Sequence, residues 1–370
     1  MSVDRRTEFL KRYPTLDWGD WRSQMKHRIQ TFEALRECLN VTPGEQESIE
    51  RSKGRYRWSI TPYYASLMDP DNERCPIRLQ AVPGLQEFET YPEADVDPVG
   101  DMHYRKTNRV VHKYPDRIVL LVTRSCPVYC RHCTRKFHTT DVEGSYFGES
   151  EARSYDEDFE YIAAHPEIRD VLLTGGDPLM YAEEKLEPIL RRLRAIPSVE
   201  IIRIGSRFPV LLPQRITPEL CQMLEKYHPL WLSTHFNHPK EITEEAARAC
   251  DLLLRHGIPV QNQTVLLKGI NDDLPTLKQL MSGLLKIRVR PYYLYHCDNV
   301  VGVSHFATTI EAGRALMEGL HGHMTGFAVP QYIVTTKLGK IPLAREALHQ
   351  DDEGYWVENY EKRTMRIKDV

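Results

Sequence analysis

The chain has 370 residues, of which 41% are hydrophobic, and its 49 basic and 52 acidic side chains leave a formal net charge of −3. Such a balance gives no reason to expect a nucleic-acid partner, and no apolar run approaches the roughly 20 residues of a membrane span. Because the N-terminus also lacks the apolar stretch of a signal peptide, we expect a soluble cytoplasmic protein whose eight cysteines are reduced.

The N-terminal part of the chain, up to about residue 65, is predicted to be helical. Apolar residues recur every three or four positions in WGDWRSQMKHRIQTFEALRECL, and this stripe is typical of a face that packs against the rest of a protein. The following part, to about residue 115, is rich in Pro, Asp and Glu without any period. We expect it to form surface loops, so that residues 1–110 make one N-terminal helical and wrapping segment.

Short apolar runs alternate with amphipathic helical patterns in the centre, and Thr217 and Thr243 stand where two helix N-caps belong. This alternation predicts βα units in a parallel sheet, either open and doubly wound or curled into part of a βα barrel. In both forms the functional residues lie at the carboxyl ends of the strands. The six runs that look like strands buried on both faces are 117–123, 170–176, 200–206, 230–236, 258–267 and 289–297.

Unusual residues follow these predicted strands. A cysteine cluster comes after the first strand, GGD (175–177) after the second and HCD (296–298) at the end of the sixth. Farther along, a final helix in HFATTIEAGRALMEGL precedes the strand-like QYIVTTKL, which leads into GKIP. The end of the chain, GYWVENYEKRTMRIKDV, is predicted to form a hairpin.

Three cysteines are spaced as ligands in SCPVYCRHCTRK, residues 125–136. Zinc sites usually pair two such motifs, and here no second pair exists, although His132 or His138 could supply a fourth ligand. A cubane iron–sulfur cluster normally takes four thiolates, so three cysteines leave one iron open. An open iron is useful only if another molecule binds there.

The CxxxCxxC spacing is the signature of the radical S-adenosylmethionine (SAM) superfamily, and the blocks around it resemble lysine 2,3-aminomutase and its relatives. These blocks include LLTGGDPL (172–179), NQTVLLKGIND (262–272) and VRPYYLYHCD (289–298), and the resemblance covers roughly residues 18 to 345. It implies an α/β fold with a partial (β/α)6 radical SAM barrel. The N-terminal helical segment would precede a barrel at 111–305, and a short C-terminal PLP-binding region would occupy 306–370.

The resemblance implies that Cys126, Cys130 and Cys133 hold three irons of a [4Fe-4S] cluster while SAM chelates the fourth. His132 occupies the position that usually contacts the adenine of SAM. The GGD motif, Gly175, Gly176 and Asp177, matches the glycine-rich strand end that reaches the amino group of SAM.

The family also uses pyridoxal phosphate (PLP), and Lys340 in LGKIP matches its Schiff-base lysine. The phosphate-binding basic pair of the family falls on Lys113 and Arg117. The loop before Lys340 departs from the family, because it is two residues shorter and keeps one glycine. Either the loop is rebuilt and Lys340, or less favourably Lys337, still joins PLP, or PLP is bound differently.

Three residues are implied to bind the substrate. Arg135 matches the arginine that binds the carboxylate of an amino acid, and Asp298 matches one of two aspartates that hold a lysine ammonium. The second aspartate is replaced by Thr335. Because one carboxylate and one hydroxyl pair a buried ammonium incompletely, lysine is the substrate expected from the family and arginine is a competitor.

These resemblances predict an isomerase, a 2,3-aminomutase that moves the α-amino group of a basic L-amino acid to its β-carbon. A radical SAM dehydrogenase of the same substrate class is one alternative, and a zinc-stabilised binding module is another. We expect a flavodoxin or ferredoxin as electron donor and a homo-oligomer. Because no cysteine follows Cys297, we expect no zinc site in the C-terminal region.

Overall fold

The structure is a computed structural model that describes residues 5–89, 91–140, 154–343, 348–352 and 354–367. Its centre is a nine-stranded sheet in which β1 to β9 follow one another in chain order. A separate three-stranded antiparallel sheet is formed by β10 to β12. The strands are β1 Val110–Tyr114, β2 Arg117–Thr123, β3 Asp170–Gly175, β4 Ile201–Gly205, β5 Leu230–Thr234, β6 Val260–Leu266, β7 Arg290–His296, β8 Gln331–Thr336, β9 Gly339–Pro342, β10 Leu348–Asp351, β11 Gly354–Glu358 and β12 Thr364–Ile367.

The large sheet curls into a nearly closed barrel. Strands β2 to β8 are parallel, whereas β1 and β9 run antiparallel along the two edges. The edges meet through side chains, since the Tyr114 hydroxyl accepts a hydrogen bond from the Lys340 backbone N–H at 2.9 Å and the Lys113 ammonium donates to the Thr336 carbonyl. The predicted α/β partial barrel is confirmed, and β8 adds a seventh parallel strand to the six predicted ones.

Helices cover the outside of the barrel. Thr217 and Thr243 are confirmed as N-caps, because their hydroxyls accept hydrogen bonds from the backbone N–H groups of Leu220 and Ala246. The α-helices of the described residues are α1 Arg5–Arg12, α2 Trp21–Lys26, α3 Phe32–Arg36, α4 Pro43–Ser52, α5 Pro62–Ser66, α6 Pro76–Leu79, α7 Lys136–Thr140, α8 Asp156–Ala164, α9 Glu183–Arg194, α10 Phe208–Leu211, α11 Pro218–Glu225, α12 Glu244–Arg255, α13 Leu274–Lys286 and α14 Ile310–Leu320. None of these helices combines the length and the apolar character that crossing a membrane requires.

The barrel strands alternate in what their two faces contact. On β3, Val171 and Leu173 are fully buried in the core under the helices, whereas Asp170 and Thr174 line a cavity inside the barrel. The expectation that these strands are buried on both faces is therefore corrected. Their outer face is apolar core, and their inner face carries the polar side chains of a site.

The N-terminal segment is helical as predicted, but its apolar stripe does not lie on one helix. Between α2 and α3 the chain is extended, and Ile29 exchanges backbone hydrogen bonds with Ile60. The Thr31 side chain then caps α3. The stripe is still buried, with Ile29 at 1% and Leu35 at 0% exposure, so spacing identified the packing face and missed the break.

The prediction of loops up to about residue 115 is wrong for β1. Residues 110–114 pair with β2 through a tight hairpin in which Tyr114 opposes Arg117. Pro115 and Asp116 form the turn, and turn residues of this kind hid the short strand in a Pro- and Asp-rich sequence.

The C-terminal part adds an edge strand and a small sheet. β8 and β9 form a hairpin in which Thr336 pairs with Gly339 around the turn residues Lys337 and Leu338. Gly339 has a φ of +123°, which side chains rarely tolerate. The predicted terminal hairpin corresponds to β11 and β12, and its last three residues lie outside the described part of the chain.

Candidate active site

A cavity of about 800 Å³ runs through the barrel. It reaches from the cysteine loop, at the carboxyl ends of the strands, to Arg117 and Arg290, the first residues of β2 and β7. The sequence predicts functional residues at the carboxyl ends of the strands alone. The structure differs from this prediction, because the cavity also reaches the amino ends of β2 and β7. The following residues to which the family resemblance assigned a role line this cavity: Lys113, Arg117, Cys126, Cys130, His132, Cys133, Arg135, Gly175, Gly176, Asp177, Asp298, Thr335 and Lys340. Two candidates weighed as alternatives, His138 and Lys337, do not line it.

The three cysteines follow β2 and face the cavity as free thiols. Burial, and then the neighbouring Cys130 thiol, raise the pKa of Cys133 to about 11. Burial, then Asp177 and the neighbouring thiols, raise the pKa of Cys126 well above its usual range. Three thiolates at this place need a cationic centre, which the irons of a [4Fe-4S] cluster provide. Among the described residues no group of His, Cys, Asp or Glu is arranged to hold a single metal ion. The donor set fits a cluster, because in such a cluster each thiolate would bind a separate iron.

A buried ion triad anchors the cysteine loop, and sequence reasoning missed it. Glu87 accepts hydrogen bonds from the Arg131 Nε at 2.8 Å and from the Lys136 Nζ at 2.6 Å. All three side chains are at most 1% exposed. Burial would raise the pKa of Glu87, but the two cations lower it to about 2. Glu87 of the N-terminal segment thus holds the cysteine loop at two points, one between Cys130 and Cys133 and one just after Cys133, and nothing in the sequence near Glu87 signalled this contact.

Replacing Glu87 with glutamine is expected to destabilise the protein by about 3 to 5 kcal/mol, because two buried cations lose their counterion. The lowered pKa also means that Glu87 stabilises the fold at pH values above its unfolded pKa of about 4.3, and that this stabilisation is lost as the pH falls toward 2. Chemical denaturation at neutral and acidic pH measures both effects. Glu89, which is exposed, provides the control. A Glu87→Gln variant as stable as Glu89→Gln would contradict the triad's role.

The GGD motif packs directly against the cysteine loop. A Cβ added to Gly176 would lie 2.4 Å from the Ser125 carbonyl oxygen, so only glycine fits there. The Asp177 carboxylate accepts hydrogen bonds from the backbone N–H groups of Leu179 and Arg207. Burial raises the pKa of Asp177 to about 6 against these hydrogen bonds. The motif therefore joins the ends of β3 and β4 to the loop that carries the cysteines.

His132 is buried between the cysteines and the following strand ends. Its Nε2 contacts the Asn237 amide at 3.2 Å, and its Nδ1 is a buried atom without a hydrogen-bond partner among the described residues. Burial and the Arg207 charge hold its pKa well below the usual range, so the ring is neutral. A neutral ring with one free nitrogen suits contact with a heteroaromatic base.

Lys340 lies on β9 and enters the cavity beside Thr335, its cross-strand partner on β8. Its ammonium lies over the rings of Tyr293 and Tyr295, at 5.0 and 5.2 Å from their centroids. Burial, and then the charge of Arg203, lower its pKa to about 7. A large fraction of the amine is therefore neutral near neutral pH, which is the nucleophilic form that a PLP aldehyde needs.

The other lysine of the hairpin has a different environment. Lys337 is at the turn, its side chain is 63% exposed, and it forms a salt bridge with Asp95 at 2.6 Å. It is not among the residues that line the cavity. Of the two lysines considered from the sequence, Lys340 is the one placed for a PLP linkage.

Lys113, on β1, and Arg117, the first residue of β2, also line the cavity. The Lys113 ammonium donates to the carbonyls of Val99, at 2.8 Å, and Thr336, so that two of its three N–H groups are used. Arg117 stacks on the Tyr114 ring at 3.8 Å and pairs with Asp116. Arg117 is thus the more available cation for a phosphate, and Lys113 mainly joins the two edges of the barrel.

The three residues assigned to the substrate, Arg135, Asp298 and Thr335, all line the cavity. Arg135 donates its Nε to Asp101 at 2.6 Å. Burial raises the pKa of Asp298 to about 6, against the nearby Thr134 hydroxyl and, after it, the charge of Arg135. The Asp298 Oδ1 is buried and has no hydrogen-bond partner among the described residues. A carboxylate oxygen left in this state favours a cationic ligand group.

Several polar residues of the cavity wall were not predicted. They share one feature, an inward position on a mainly apolar strand, and alternating polar residues within those strands were the signal that could have found them. They include Arg203, which pairs with Asp170 at 2.8 Å. Further examples on the strands are Gln261, Gln263, Tyr293 and Tyr295, and His235 directly follows β5.

Comparison with known proteins gives consistent matches. Residues 120–280 match the family model of the radical SAM superfamily. The chain is 48% identical to the L-lysine 2,3-aminomutase of Fusobacterium nucleatum, over 90% of this chain and 77% of that protein. It is 43% identical to that of Bacillus subtilis, over 96% and 75%. It is 40% identical to the glutamate 2,3-aminomutase of Clostridioides difficile, over 95% and 83%.

Proposed function

The chain belongs to the lysine 2,3-aminomutase family of radical SAM enzymes, and from this premise we propose that it moves the α-amino group of a basic L-amino acid to the β-carbon. The family members are isomerases that use a [4Fe-4S] cluster, SAM and PLP, and they need a small-molecule substrate and a reductant. The observation that supports a basic amino acid as substrate is the position of Asp298. One of its carboxylate oxygens is buried without a hydrogen-bond partner among the described residues, and the residue lines the same cavity as Lys340 and the cysteines.

When bound, these groups supply one-electron chemistry at carbon and an aldehyde that captures amines. Cys126, Cys130 and Cys133 hold the cluster in this proposal, and Gly175, Gly176, Asp177 and His132 receive SAM. Lys340 holds PLP, and Arg117 with the remaining donor of Lys113 binds the phosphate. Each assignment uses a residue that lines the cavity.

The protein's own contribution is positioning. Arg135 binds the substrate carboxylate while Asp101 fixes its guanidinium through Nε. Lys340 releases and recaptures a proton near neutral pH because its pKa is about 7. The barrel wall surrounds the reacting atoms and limits the water and other hydrogen donors that reach them.

The cationic group at the end of the side chain distinguishes lysine from arginine as a substrate. Asp298 offers a carboxylate, and Thr335 offers a hydroxyl where lysine enzymes of the family have a second aspartate. A guanidinium takes one carboxylate in a bidentate manner and still has donors for a hydroxyl, whereas an ammonium is left with one charge partner. Lysine is the substrate expected from the family, and this geometry also supports arginine.

An anaerobic assay with lysine, arginine and glutamate tests the substrate class. The reconstituted protein is expected to convert a basic amino acid to a product of equal mass and different retention, and to leave glutamate unchanged. Turnover of glutamate alone would overturn the role of Asp298. Formation of a dehydrogenated product would favour the dehydrogenase alternative.

Replacing Thr335 with aspartate is expected to shift the preference toward lysine over arginine by about tenfold, the scale of one charge-assisted hydrogen bond. The ratio of kcat/KM values for the two substrates measures this shift. Thr335→Ser, which keeps the hydroxyl, is the matched control and should leave the ratio close to that of the original protein. An unchanged ratio in Thr335→Asp would show that this position does not face the substrate side chain.

The chain divides into three segments, 1–110, 111–305 and 306–370, in our proposal. Strands β8 and β9 of the segment 306–370 join the barrel sheet, so we propose that this segment completes the barrel started by 111–305, with 1–110 wrapping it. A flavodoxin or ferredoxin as reductant, a homo-oligomer and a cytoplasmic location remain predictions from the sequence and the family.

A further inference from the structure

Arg207, which follows β4, is held at four points and touches a cysteine of the cluster motif. Its Nη1 donates to the Cys130 Sγ at 2.8 Å. Its Nη2 donates to Glu241 at 2.8 Å and to Gln80 at 2.7 Å, and its Nε donates to the His235 carbonyl at 2.8 Å. The residue is 8% exposed. A buried arginine with so many partners has one orientation.

Glu241 makes this orientation rigid. It is fully buried, and its Oε1 also accepts a hydrogen bond from the Tyr64 hydroxyl at 2.7 Å. Its Oε2 accepts from the backbone N–H groups of Asn237 and His238. Because every partner is itself fixed, the guanidinium cannot turn away from the Cys130 sulfur without breaking a buried network.

The backbone of Arg207 is tied to the GGD motif as well. Its N–H donates to the Asp177 Oδ2 at 2.7 Å. The same residue therefore connects one cysteine, the strand end assigned to SAM and the buried Glu241. Arg207 directly follows the third predicted strand, 200–206, and it was assigned no role from the sequence.

A hydrogen bond from a cation to a ligand sulfur acts on the charge of an iron–sulfur cluster. Reduction adds one negative charge, so a positively charged donor at the sulfur stabilises the reduced form more than the oxidised form. At positions farther from the sulfur, the negative charge of Glu241 offsets the positive charge of Arg207. The Nη1–H group of Arg207 still donates a hydrogen bond directly to the Cys130 sulfur. We propose that Arg207 is a positioning residue that raises the reduction potential of the cluster through its hydrogen bond to Cys130. This inference rests on the proposed function only in that it requires the cluster.

The test is a redox titration of the reconstituted cluster, followed by electron paramagnetic resonance without substrate. Arg207→Lys and Arg207→Gln are expected to shift the midpoint to a lower potential, with the larger shift in Arg207→Gln. Arg78→Gln is the matched control, because Arg78 is also buried and pairs with a glutamate, Glu45, at 2.6 Å. Its cluster should titrate as in the original protein.

A second variant covers the case in which the Arg207 variants lose iron. Gln80→Leu keeps Arg207 and removes one of its acceptors, and it should shift the midpoint in the same direction by a smaller amount. Iron-loaded variants at Arg207 or Gln80 with an unchanged midpoint would overturn the proposal. A protein of original sequence that binds no cluster would overturn the proposed function as well, so the two failures are distinguishable.

Discussion

Replacing Lys340 with alanine is expected to abolish the covalent capture of PLP and to lower turnover about 100-fold or more, the scale on which a positioned reactive group contributes. The reason is the location of its amine, which lies in the cavity with a pKa of about 7. In the original protein the rate of PLP capture should rise with pH through about 7, as the neutral amine forms, and then level off. Visible absorption of the protein with PLP, with and without borohydride, measures capture.

Lys337→Ala is the matched control, since Lys337 belongs to the same hairpin and its ammonium pairs with Asp95 outside the cavity lining. It should capture PLP and turn over substrate at close to the original rate. Normal capture by Lys340→Ala, or loss of capture in Lys337→Ala, would show that the shortened loop presents a different lysine.

Replacing Gly176 with alanine is expected to abolish cluster binding although it removes no functional group. The added methyl would lie 2.4 Å from the Ser125 carbonyl oxygen and 2.8 Å from the Arg124 carbonyl carbon. Because both contacts are backbone atoms, the cysteine loop must move and its three sulfurs lose their arrangement. Iron and sulfide content after anaerobic reconstitution measures the loss.

Gly326 provides the control for this substitution, because a Cβ there would have no atom within 4 Å. Gly326→Ala should reconstitute with the iron content of the original protein. If Gly176→Ala folded and took up a full cluster, the close packing of the GGD motif on the cysteine loop would not control the site.

Hydrophobic periodicity was enough to locate most of the barrel. The six predicted runs correspond to β2 through β7, since long apolar strands between amphipathic helices carry a strong signal. β1 was missed because five residues beside a Pro-Asp turn carry little pattern. The break between α2 and α3 was missed because the burial of Ile29 continues the stripe while its backbone pairs with Ile60.

The candidate site shows the same division. Residues within the motif blocks, such as Cys126, Lys340 and Asp298, were found because the resemblance names their positions, and they meet in one cavity. Glu87 and Glu241 were not found. Each lies far along the chain from its basic partner, and only the fold brings the partners together. Long-range buried ion pairs of this kind leave no local pattern.

The central proposal is that the protein moves an amino group within its substrate, in which case SAM would act as a cofactor and would not be consumed. The most direct measurement is the amount of 5′-deoxyadenosine formed per product, with the basic amino acid that is turned over fastest, under anaerobic reduction. If the protein is an aminomutase, we expect a product of unchanged mass with only trace 5′-deoxyadenosine. A product that has lost two hydrogen atoms, with 5′-deoxyadenosine accumulating in step, would contradict it.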